Sequence, residues 1–178
     1  MLKKQIREMV LEALRQFYMH DLELLENPYE PTVSAKIGMY LQALLTNCAE
    51  FNGYHVDCEY NRAAMGKKVA PEKYPYKTMR PDILIHRRAH TEKESKRSDF
   101  NFLFCEIKIG NISDNDITKI NHAIDEYHYA WGLSIHNIEQ KGIVLRWVQN
   151  GQNANNEKLD VTYTWKDHDK QLVPENDS

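Results

Sequence analysis

The chain has 178 residues, 42% of them hydrophobic, and a formal net charge of −3. That length suits one domain with a real core, and a net acidic chain does not grip nucleic acid by bulk charge alone. There is no run of 18 apolar residues, so a membrane-spanning helix is excluded.

The amino end mixes Gln5, Arg7, Glu8 and Glu12 among its apolar residues, unlike the apolar block of a signal peptide. Cys48, Cys58 and Cys105 make an odd count with no C-x-x-C pair. This argues against a disulfide framework or a cysteine zinc site, and the expected compartment is the cytoplasm. Residues 2–26 read as an amphipathic helix, with Ile6, Met9, Val10, Ala13, Leu14, Phe17, Leu24 and Leu25 at helical spacing and Asn27-Pro28 as the stop. This helix is a packing element or the surface of a homodimer.

A second helix is expected after Pro31, with Val33, Ile37, Leu41, Leu44 and Cys48 in one stripe and Asn52-Gly53 at its end. Tyr54 to Asn61 alternates apolar and polar residues as a half-buried strand. Residues 62–79 contain Gly66, Pro71, Pro75 and several lysines and form a loop or irregular arm. A short apolar strand follows over 82–86, a polar loop over 88–99, and the most apolar strand over 101–109. Ser113-x-x-Asp116 starts a third helix in capping-box fashion, with Ile117, Ile120, Ile124, Tyr127 and Trp131 on one face and Gly132 as its close. Three β-prone stretches (133–138, 143–149, 158–165) complete the order, with Lys141-Gly142 and Asn150-Gly151 as turns. The expected fold is α/β (α+β), a mixed central sheet covered by helices. The domain spans 1–170, with 1–27 as an added helix, 30–140 as the core and 171–178 as a disordered tail.

Charge is unevenly placed. Residues 62–97 hold eleven Lys/Arg against four acids, a local +7 that leaves −10 on the rest. Either this is a solvated loop, or it is a basic lip for phosphates. Arg62, Lys77, Arg80, Arg87 and Arg88 are its nucleic-acid-binding candidates, with Arg80 equally suited to a structural pairing with Asp82 or Glu106.

The chemistry concentrates in the strand 101–109. Glu106 and Lys108 lie two apart and share a face with Phe102 and Phe104, about 6.6 Å from one another along the strand. Charges inside an apolar strand are costly unless paired or bound to something, so they are a structural ion pair or a site. Pro81-Asp82 occurs once and opens the preceding strand, where a hairpin neighbour brings Asp82 beside Glu106. Two close carboxylates repel unless a cation lies between them; Mg²⁺ suits such hard oxygen ligands, with the Ile107 carbonyl as a further donor. Lys108 then stands by the bound water and the phosphate.

Pro81-Asp82, 23 intervening residues, then Glu106-Ile107-Lys108 resembles the PD-(D/E)xK, restriction-endonuclease-like, nuclease superfamily. The element order over 30–140 is similar to that family's core, and the tracts 57–62 and 80–82 look like small bacterial nuclease-like members. The resemblance implies phosphodiester hydrolysis with Mg²⁺ (Mn²⁺ as a substitute) and DNA ahead of RNA as partner. It further implies Asp82, Glu106 and Glu30 as metal ligands and Lys108 as catalytic lysine. Glu-x-Lys also occurs at 94–96 and 139–141, but only 106–108 lies in an apolar strand. The Gln-x-x-x-Tyr of exonuclease-type branches is not matched, since Ala123 stands four before Tyr127. The competing expectation is a nuclease-fold module that no longer cuts and serves binding or assembly. The eight histidines are scattered without metal-ligand spacing, the tryptophans read as packing residues, and the three cysteines read as small core residues.

Overall fold

A computed structural model describes residues 2–60, 79–91, 93–94, 97, 99–148 and 160–175. The helices are α1 (Leu2–His20), α2 (Glu30–Thr46) and α3 (Asp114–Tyr127). The strands are β1 (His55–Cys58), β2 (Ile83–His86), β3 (Asn101–Ile107), β4 (Trp131–Glu139), β5 (Gly142–Val148), β6 (Asp160–Lys166) and β7 (Gln171–Pro174). Among the described residues they form one seven-stranded mixed sheet in chain order. Among the described residues β3 and β4 pair in parallel and the other neighbours pair antiparallel. A parallel pair needs a long crossover, and α3 supplies it. No helix among the described residues is long and apolar enough to cross a membrane.

The sheet is covered on two faces, because β2 and β3 bury both of theirs. Ile83, Ile85, Leu103, Cys105, Ile107, Leu133 and Ile135 meet Val10, Leu14, Phe17, Ile37 and Leu41 of α1 and α2. Leu84, Phe104 and Val148 meet Ile120, Ala123 and Ile124 of α3. Glu106 alternates with Cys105 and Ile107 and so looks toward α3. Phe102 departs from the expected alternation. A register shift between Ile85 and His86 lets it leave the face of Phe104 and stack edge-on against Phe51 and Tyr54.

Several boundaries differ from the sequence pattern. The first helix ends at His20, and residues 22–25 form a single 3-10 turn. The third ends at Tyr127, where His128 takes the left-handed conformation (φ 55°) and accomplishes the stop that Gly132 was expected to make. Trp131 and Gly132 instead begin β4. Gly132 is there for proximity: a Cβ on it would lie 2.2 Å from Ile120 Cγ2, so only glycine lets α3 press on the sheet. Residues 171–174 are not a disordered tail: they pair with β6, and Leu172 packs on the core. Of the cysteines only Cys105 is buried; Cys48 is half-buried and Cys58 exposed, its thiol lying in the space that Gly38 leaves on α2. The Asn150-Gly151 turn lies outside the described residues.

Candidate active site

The site forms where β2 begins, β3 ends, and α2 and α3 start. Pairing of Ile83 with Cys105 brings Asp82 to the level of Glu106. Asp82 Oδ2 accepts the Ile107 backbone N–H at 2.6 Å, which pins the carboxylate to the end of β3. The Ile107 amide thereby positions Asp82. Burial raises the Asp82 pKa, against the pull of the Ile107 amide and of Lys108.

Glu106 is the least ordinary group. It is 1% exposed. One carboxylate oxygen meets Lys119 Nζ at 3.0 Å, and the other, Oε1, is buried without a hydrogen-bond partner. Burial pushes its pKa up to about 8; Lys119 opposes that rise and the neighbouring Asp82 adds to it. A buried carboxylate paired through only one of its oxygens is expensive, and such groups concentrate at functional sites.

Glu30, the first residue of α2, reaches Lys108 Nζ at 2.6 Å, across 78 positions of chain. Desolvation depresses the Lys108 ammonium, yet Glu30 and Asp82 outweigh it and hold its pKa above the usual value. Lys108 thus binds Glu30 and acts through space on Asp82, which lies at the level of Glu106, so the four residues share the end of β3. Among the described residues no three His, Cys, Asp or Glu gather closely enough to hold a metal ion by themselves. Glu30 is turned to Lys108, Asp82 to an amide and Glu106 to Lys119.

Two participants were missed from the sequence. Asp116 is 6% exposed; its Oδ2 accepts from the Ser113 N–H and hydroxyl, and its Oδ1 lies 3.4 Å from Lys119. Desolvation alone would raise the Asp116 pKa, but the Ser113 hydrogen bonds lower it overall. Lys119 bridges Asp116 and Glu106; although desolvation works against its charge, these two acids raise its pKa. The signal for Asp116 was its spacing, four before Ile120 and seven before Ala123, on the buried stripe of α3. Lys119 has no local signal, since its partner lies 13 residues away on another element.

The basic candidates are not gathered here. Arg62 and Lys77 lie outside the described residues. Arg80 is exposed and pairs with Glu59 at 3.4 Å, and with neither Asp82 nor Glu106. Arg87 and Arg88 follow the far end of β2, about 16 Å along an extended chain from Asp82. There Arg87 lies over the Tyr54 ring at 4.6 Å, and Arg88 pairs with Asp57, which also binds His86 at 2.8 Å.

No family model matches the chain, and neither the curated proteins nor the solved structures give a match.

Proposed function

We propose that the chain is a metal-dependent nuclease that hydrolyses phosphodiester bonds, in DNA ahead of RNA. One observation carries the reading: Glu106, buried in the central strand with an unpartnered carboxylate oxygen, lies beside Asp82 at the start of the neighbouring strand. The order α2-β1-β2-β3-α3-β4, with its parallel last pair, is the order that a restriction-endonuclease-like core implies.

The donor set fits a hard divalent cation. Asp82 and Glu106 offer carboxylate oxygens that raise the energy of each other's charge, and Glu30 stands near enough to act on Asp82. Mg²⁺, with Mn²⁺ as a substitute, would be held by Asp82 and Glu106 with Glu30 adjacent. A divalent ion held by these residues would supply Lewis-acid polarisation of a phosphate oxygen and a bound water of lowered pKa. The Ile107 amide keeps Asp82 aimed at the site. Lys108, which directly follows β3 and is held by Glu30, would place a compact positive charge against the developing charge of the phosphate.

Plasmid and single-stranded DNA, incubated with Mg²⁺, Mn²⁺ or EDTA, test this. The wild-type protein cleaves with either metal and not in EDTA, and Asp82→Asn, Glu106→Gln and Lys108→Met each lose about a hundredfold or more. Equal cleavage by all four proteins would refute the assignment.

A second reading is favoured by the two ion pairs themselves. Lys108 on Glu30 and Lys119 on Glu106 neutralise acids without any metal, as a nuclease-fold binding or assembly module would. Such a module takes up no Mg²⁺ or Mn²⁺ at millimolar concentration.

A further inference from the structure

Lys119 belongs to no element of the Pro-Asp…Glu-x-Lys pattern, yet its ammonium is the group in contact with the buried carboxylate. Its Nζ lies 3.0 Å from Glu106 Oε2 and 3.4 Å from Asp116 Oδ1. The side chain is 22% exposed, so the ammonium sits at the border between the buried acid and solvent. Its stem projects from a helix that is fixed. Ser113 and Asp116 complete a reciprocal capping box at the start of α3, and Ile120 and Ile124 press against Gly132 on β4. Lysine, however, has four rotatable carbons, and Asp116 gives its charge a second partner one helical turn back. The ammonium therefore has somewhere to go when it leaves Glu106.

The other lysine of the site is differently placed. Lys108 is bound to Glu30 at 2.6 Å, and its contact is not with Glu106. The two cations divide the acids between them, and Lys119 takes the one that carries an unsatisfied oxygen. A positive charge next to that carboxylate and a divalent ion on it repel one another.

We propose that Lys119 is an intramolecular counter-ion that occupies the cation position beside Glu106 and is displaced toward Asp116 when a divalent ion binds, so that this lysine sets the metal affinity of the site. The inference rests on the metal-site reading above, but it concerns a residue outside the motif. Lys119 is thus a positioning residue: it compensates the buried acid while no metal is present and makes entry of the ion a cation exchange.

The test is calorimetric titration of Mn²⁺ into the wild-type protein and the Lys119→Met, Lys119→Arg and Glu106→Gln variants, all checked for folding by circular dichroism in EDTA. Lys119→Met is expected to bind Mn²⁺ about tenfold or more tightly than wild type, from the coupling of close charge pairs. Lys119→Arg keeps the cation and stays near wild type, while Glu106→Gln loses binding. Equal or weaker binding by Lys119→Met, beside normal binding by wild type, overturns the proposal and leaves the metal site standing. Absence of binding by every protein, wild type included, removes the metal site and the proposal together. A readout that needs no substitution is the carbon signal of Lys119 in wild-type protein labelled at lysine Cε. It shifts as Mg²⁺ saturates the site, and a signal unchanged at saturation also overturns the proposal.

Discussion

Replacing Glu106 by Gln should abolish a pH dependence of stability that the wild-type protein carries. Glu106 is 1% exposed, and burial pushes its pKa from 4.5 to about 8. The folded chain therefore holds this proton more tightly than the unfolded chain does. Below pH 4.5 both states are protonated and the group makes no difference. Between 4.5 and 8 folding must take up a proton, which costs about 1.4 kcal/mol for each pH unit. Above 8 the penalty levels off. At pH 7 it amounts to about 3 kcal/mol, a large part of the stability of an ordinary domain. Glutamine keeps the shape and carries no such proton. Its mismatch with Lys119 adds an offset of its own, and Asp116, which also favours the Lys119 ammonium, remains to keep that group charged. The assay is urea unfolding of both proteins in EDTA at several pH values from 5 to 8. The stability of Glu106→Gln relative to wild type should rise across that range by about 2–4 kcal/mol. Parallel stability curves would refute the burial argument for Glu106 and remove its special cost.

The scaffold around the site is testable in the same way. Ser113→Ala removes the hydroxyl that caps α3 and holds Asp116, and should cost about 1 kcal/mol in urea unfolding. Gly132→Ala places a Cβ 2.2 Å from Ile120 Cγ2 and 3.1 Å from Ile124 Cδ1, so α3 must lift from β4. Thermal unfolding should report a loss of about 1–3 kcal/mol, and an unchanged midpoint would show that α3 yields without strain.

Much of the framework was legible because periodicity is set by local chemistry. The stripe on α2, the apolar run of β3 and the turn at Lys141-Gly142 each follow from side chains within a few residues of one another. The register of Asp82 with Glu106 was readable too, since strands consecutive in the chain commonly pair as antiparallel neighbours. What escaped depended on contacts between distant elements. Gly132 resembles a helix terminator until α3 is seen to press on it. Residues 171–174 look like a polar end until β6 offers an edge to pair with. Lys119 resembles a solvated helix residue until the crossover returns it to Glu106. Arg87 and Arg88 are not beside Asp82, because charge counted along the chain ignores direction. A strand separates its two ends, and Arg87 and Arg88 leave from the end opposite Asp82.

The central claim, that Asp82 and Glu106 jointly hold a divalent ion, is tested most directly by anomalous diffraction from crystals soaked in Mn²⁺ at pH 8. A manganese peak is expected between the two carboxylates, with the Lys119 ammonium moved off Glu106 toward Asp116. A fully formed Lys119–Glu106 pair, with no peak at this end of β3, would contradict it.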